Sequence, residues 1–191
     1  ASKPNELHRT LSMDGIHVVI YDFENALLSV EKELPSIDHA DGNGMDEVEE
    51  YESIKELSVE QVSVPFGGKH GISLLQVHFE SLVAMDVRLF VISQKSWRVA
   101  RLVLHKVGLL RYFANDEDAV IDDRVIGVDH ELLQNSTNYQ YSLNEKLLKI
   151  IEKCEVSNDC VLYIDSDGTT ANVEKIHLCR TYGIKGDKGL Q

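Results

Sequence analysis

What the chain lacks narrows it first. No window of its 191 residues approaches the uninterrupted apolar length of a membrane span, and the opening stretch ASKPNELHRT has no apolar core of the signal-peptide kind. No membrane partner is expected, and the expected location is cytoplasmic. Cysteine is scarce: Cys154, Cys160 and Cys179 are odd in number and show no CxxC spacing. Reduced, mostly structural thiols are therefore expected, rather than a disulfide framework or a structural zinc site. His177 and Cys179 alternate as a metal-binding pair would, but no second pair accompanies them. Positive charge is short as well. With 19 Lys and Arg against 32 Asp and Glu the net charge is −13, the wrong sign for a nucleic-acid backbone, which is held by clustered cations.

The negative excess is localised. Residues 31–60 supply nine of the thirteen excess charges, so the remainder is only mildly acidic and can still take an anionic substrate in a local pocket. An apolar fraction of 43% and a charged fraction of 27% are those of a soluble globular protein, and the length suits one domain with a modest insertion.

The chain is organised around HVVIYDFENALL, residues 17–28. Its first five residues are almost continuously apolar rather than alternating, as in a strand covered on both faces. That strand ends in Asp22, and Glu24 follows. Similar runs close on Ser93, after Leu89-Phe90-Val91-Ile92, and on Asp165, after Val161-Leu162-Tyr163-Ile164, while a shorter one spans 124–128. Between them, apolar spacing predicts helices over 69–84, 97–107, 143–154 and 171–182, with Gly108 and Gly183 just past two helix ends. The expected fold class is α/β: a Rossmann-like parallel sheet flanked by helices, with right-handed crossovers. Residues 29–65 form a small acidic insertion after the first strand. Pro35 and the Gly/Asn-rich run at 39–44 make 36–46 irregular, and Met45, Val48, Tyr51, Ile54 and Leu57 mark a short amphipathic helix after it.

This topology places Asp22, Ser93 and Asp165 at the carboxyl edge of one sheet, where open α/β sheets bind ligands. Two carboxylates from separate strands can share Mg²⁺, which takes hard oxygen ligands and keeps waters in its other positions. A carboxylate beside that metal can attack phosphorus, a hydroxyl can hold a phosphate oxygen, and a lysine can neutralise developing charge.

In these residues the chain resembles the haloacid dehalogenase-like (HAD) superfamily of phosphatases and phosphotransferases. That family's first motif, a strand followed by Asp-x-Asp-x-Thr, reads Asp22-Phe23-Glu24-Asn25-Ala26 here; the second, a strand ending in Ser or Thr, falls at Ser93. The third, a lysine at the head of a helix, is assigned to Lys146, with Lys149 and Lys95 as alternatives. The fourth, a strand ending in acids, reads Asp165-Ser166-Asp167. The resemblance covers about residues 17–185. It implies Asp22 as nucleophile and metal ligand, Glu24 as acid/base with its carbonyl on the metal, Ser93 on the phosphate, Lys146 as charge stabiliser, and Asp165 and Asp167 as further metal ligands. The implied cofactor is Mg²⁺, and the implied substrate is a phosphorylated small molecule or a phosphoprotein.

Three departures stand out: Glu24 for the second aspartate, Ala26 for threonine, and Ser166 where many members carry an acid. The extra methylene of Glu24 moves the proton donor by roughly a bond length, and general acid catalysis depends on hydrogen-bond geometry. The expected function is a Mg²⁺-dependent phosphomonoester hydrolase. The alternative is a catalytically weakened domain that binds a phosphorylated ligand or a protein partner. A two-component receiver shares the acid-tipped sheet but would carry its phosphorylated aspartate on the third strand, which here ends Val-Ile-Gly-Val.

Overall fold

Val18–Asp22 forms β1, buried along its whole length, and its alternate side chains feed two separate cores. Val19 and Tyr21 face one, Val18 and Ile20 the other, which is why the run reads as continuously apolar. The computed structural model describes residues 15–29, 47–114, 124–127 and 139–184.

β2 is Arg88–Ile92, β3 Val125–Ile126, β4 Val161–Ser166 and β5 Arg180–Ile184. All pair in parallel in the order β3-β2-β1-β4-β5. The helices are α1 (Glu47–Glu56), α2 (Val59–Ser63), α3 (Gly68–Ala84), α4 (Trp97–Lys106), α5 (Tyr139–Cys154) and α6 (Asp167–Lys175). Ile72, Leu75, Phe79 and Leu82 of α3 and Val99, Ala100, Val103 and Leu104 of α4 fill the first core. Leu143, Leu147, Ile150 and Ile151 of α5, with Val173 of α6, fill the second. The architecture is the expected one, a parallel sheet flanked by helices.

Local chemistry fixes where the helices begin and end. Ser96 caps α4 by accepting the Val99 N–H at 3.2 Å. Gly108, with φ at 75°, takes the left-handed position past the end of α4, as its place in the sequence predicts. α2 opens with a capping box, in which Ser58 and Gln61 bind each other's backbone N–H. Lys106 Nζ donates to the carbonyls of Lys55 and Leu57 at 2.7 and 2.6 Å, satisfying the carboxyl end of α1 and fastening it to α4. Gly127 is required for packing: a Cβ there would stand 2.0 Å from the Trp97 nitrogen, so only glycine lets the end of β3 run against the start of α4.

Two expectations are corrected. The last helix ends at Lys175, and 180–184 is a fifth strand. Gly183 therefore lies inside β5, opposite Asp165, and caps no helix. This strand is only half-buried along most of its length, so it lacks the continuous apolar run that marks the inner strands. Helix α5 starts at Tyr139, four residues earlier than its apolar spacing indicates, which puts Lys146 in mid-helix. The helix expected near Met45 to Leu57 is present as α1. The irregular segment expected at 36–46 lies outside the described residues, as does most of the insertion before α1. No helix among the described residues is long and apolar enough to cross a membrane.

Candidate active site

Because β1 lies between β2 and β4, the carboxyl ends of all three meet at one place. Register makes them level: Asp22 pairs with Ile92, so Ser93 is the next residue on β2, and Tyr21 pairs with Ile164, so Asp165 stands beside Asp22 on β4. Asp22, Ser93 and Asp165 are all 0% exposed.

The chain leaves β1 through one wide π-helical turn, Phe23–Leu27. Such turns recur at functional sites because the extra residue re-aims side chains. Asp22 caps it, its Oδ1 accepting the Asn25 N–H at 2.7 Å. Phe23, Ala26 and Leu27 turn into the core, leaving Glu24 and Asn25 at the sheet edge. Ala26, where the family's threonine stands, is wholly buried in the first core.

Asn25 joins the two buried aspartates. Its backbone N–H serves Asp22, and its Nδ2–H donates to Asp165 Oδ1 at 2.9 Å. Asp165 Oδ1 also accepts the Ser166 N–H at 2.6 Å, and the Tyr163 hydroxyl donates to Oδ2. Burial pushes the Asp165 carboxyl above its ordinary pKa, while the hydrogen bonds from Tyr163, Ser166 and Asn25 favour the anion and oppose that rise.

On the β2 side a different arrangement holds. Glu24 Oε1 accepts from Ser93 Oγ–H at 2.6 Å, the Gln94 N–H at 3.0 Å and the Lys95 N–H at 3.3 Å. The Lys95 N–H also approaches Ser93 Oγ at 2.9 Å, and the Lys95 ammonium pairs with Glu50 of α1. Three donors thus converge on one oxygen. Glu24 Oε2, by contrast, is buried without a hydrogen-bond partner among the described residues, a state that costs about 1–3 kcal/mol for a polar group. Burial is the main influence on this carboxyl and raises its pKa, against the donors that favour the charged form.

The residues singled out in the sequence therefore fall into two groups: Asp22 with Asp165, and Ser93 with Glu24. Lys146 is buried on α5, the helix that covers the second core. Asp167 opens α6, and its side chain lies outside the described residues. Asn25 and Tyr163 were not singled out. Asn25 sits inside the first motif, and Tyr163 stands two residues before Asp165 on the same strand and so on the same face.

The donors suit Mg²⁺ in kind. Asp22 and Asp165 offer hard carboxylate oxygens from adjacent strands, and Mg²⁺ is commonly held by one or two carboxylates, with waters and substrate phosphate completing its shell. Among the described residues no group of three or more His, Cys, Asp and Glu side chains is placed to hold a metal. The Glu24 carboxylate is turned to Ser93, so any contribution of residue 24 falls to its carbonyl. A groove of about 590 Å³ runs between α1 and α4, lined by Tyr51, Trp97, Arg98 and Leu102 among others, and none of the site residues lines it.

No family model and no curated protein matches the chain. Solved structures do. A protein from Bacteroides fragilis named as a haloacid dehalogenase-like hydrolase is 17% identical, with 92% of this chain and 90% of that one covered and a TM-score of 0.46. The cobalt-bound form of the deoxy-D-mannose-octulosonate 8-phosphate phosphatase from Haemophilus influenzae is 14% identical, with 93% and 83% covered and a TM-score of 0.41.

Proposed function

We propose that the protein is a Mg²⁺-dependent phosphomonoester hydrolase of the HAD type, working through an aspartyl-phosphate on Asp22. The observation that carries this reading is the pairing of two wholly buried aspartates on adjacent strand ends, level with a three-donor cluster at Ser93. Burying carboxylates is costly unless something compensates their charge, and that expense at a ligand-binding sheet edge has a use in phosphoryl transfer. Asp22, Asp165 and the carbonyl of residue 24 would hold the cation, with Asp167 as a further ligand. The cation would screen the repulsion between Asp22 and an incoming phosphate.

Asp22 Oδ attacks phosphorus, forming the acyl-phosphate bond as the bond to the leaving oxygen breaks. The Glu24 carboxyl gives its proton to that oxygen; a pKa raised by burial suits an acid. Glu24, now a carboxylate, takes a proton from water, whose oxygen attacks phosphorus and releases phosphate and Asp22. Ser93 and the N–H groups after it hold phosphoryl oxygens, and Lys146 offsets charge in the transition state. The substrate is a phosphorylated small molecule or a phosphoprotein, and the protein works in the cytoplasm.

The test is Mg²⁺-dependent release of phosphate from an aryl phosphate, run beside Asp22→Asn. Activity confined to the unsubstituted protein is expected; equal activity in both preparations would mean contamination and end the enzyme reading. One observation favours the alternative, a phospho-ligand-binding domain with weakened catalysis: the Glu24 carboxylate already fills the donors at Ser93. Anion binding with no turnover in any variant would select it.

A further inference from the structure

We propose that Glu24 is a built-in occupant of the phosphate-binding donors, and that an incoming phosphoryl oxygen must exchange with it at Ser93 Oγ and the N–H groups of Gln94 and Lys95. Oε1 of Glu24 takes all three donors at 2.6, 3.0 and 3.3 Å, the arrangement an anionic oxygen of a ligand would occupy. An aspartate at this position would be one methylene shorter, and Glu24 as it stands reaches all three donors.

The seat is also an uneasy one. Oε2 is buried with no partner among the described residues, so the carboxylate gains three hydrogen bonds on one oxygen and none on the other. A phosphoryl group offers several anionic oxygens, so it can use the same three donors and leave no oxygen orphaned in this way. The Lys95 ammonium is turned to Glu50 of α1, while the Ser93 hydroxyl and the two N–H groups are turned to the Glu24 oxygen. Exchange would release the Glu24 carboxyl two residues beyond Asp22 on the same turn. Resting here on the phosphatase reading, binding of the phosphate frees the Glu24 carboxylate, which takes up a proton from solvent before it serves the leaving oxygen as the acid.

The experiment is calorimetric titration of tungstate and inorganic phosphate into the full chain at fixed millimolar Mg²⁺, comparing the unsubstituted protein with Glu24→Ala, Glu24→Gln and Glu24→Ala/Ser93→Ala. Removing a competitor that fills the site about nine-tenths of the time raises apparent affinity about tenfold. Glu24→Ala is expected to bind both anions about tenfold more tightly, Glu24→Gln by a smaller factor, and Ser93→Ala in the Glu24→Ala background to reverse the gain. Affinity unchanged or weakened in both Glu24 variants would overturn the proposal, and Glu24→Gln preserves the test if Glu24→Ala does not fold. The two readings fail separately. A gain in affinity with no Asp22-dependent turnover leaves the exchange standing without the enzyme, whereas Asp22-dependent turnover with no gain removes the exchange alone.

Discussion

The two halves of the sheet edge solve opposite problems with opposite charges. On the β1–β4 side, buried carboxylates lie together and neutral donors from Asn25, Ser166 and Tyr163 quiet them. On the β1–β2 side, neutral donors lie together and a carboxylate, Glu24, quiets them. One half gathers buried carboxylates, and the other gathers hydrogen-bond donors that a carboxylate occupies. A single turn after β1 serves the two halves through adjacent residues, Glu24 and Asn25.

The largest effect belongs to the acidic half: Asp22→Asn should reduce phosphate release at least a thousandfold, since loss of a nucleophile leaves only binding and electrostatic contributions. Activity within tenfold of the unsubstituted protein would remove Asp22 from the chemistry. Next comes metal linkage. At tenfold above its dissociation constant a cation that binds only the folded chain adds about 1.4 kcal/mol, a rise in Tm of roughly 3–6 °C for a domain of this size. Both Asp22→Asn and Asp165→Asn should shrink that rise, and a Tm unmoved across millimolar Mg²⁺ would argue against the site.

Glu24→Asp sharpens the contrast from the other half. The shorter acid should leave the Ser93 donors and raise kcat, more for alkyl than for aryl phosphates, because a poor leaving group depends more on protonation; general acid catalysis is worth about 10²–10⁴ in rate. A fall in kcat for both classes would mean that the turn is built around the longer side chain and that Glu24 works from where it sits. The smallest effect concerns the thiols. Burial pushes the Cys179 thiol up to about 12, and Cys154 is buried as well, so alkylation at pH 8 should mark Cys160 first. Equal labelling of all three in the folded protein would contradict the packing of the second core.

The inner strands were legible because burial on both faces writes itself as unbroken apolar runs, and Asp22, Ser93 and Asp165 followed from where those runs stop. β5 was not legible: Arg180-Thr181-Tyr182-Gly183 is half-exposed at the sheet edge, and its polar residues at helical spacing read as the end of a helix. The link through Asn25 was hidden for another reason. It depends on a π-helical turn, which no periodicity announces, and on a contact across 140 residues. The seat of Glu24 was equally out of reach, since a departure from a motif gives the length of a side chain but not the direction in which the turn sends it.

Whether Asp22 carries the phosphoryl group is tested most directly by peptide mass analysis after acid quenching of the protein turning over an aryl phosphate with Mg²⁺. One added phosphoryl group is expected on the peptide containing Asp22, absent from Asp22→Asn and lost on treatment with hydroxylamine. Steady phosphate release with that peptide unmodified, and undiminished by Asp22→Asn, would contradict that role for Asp22.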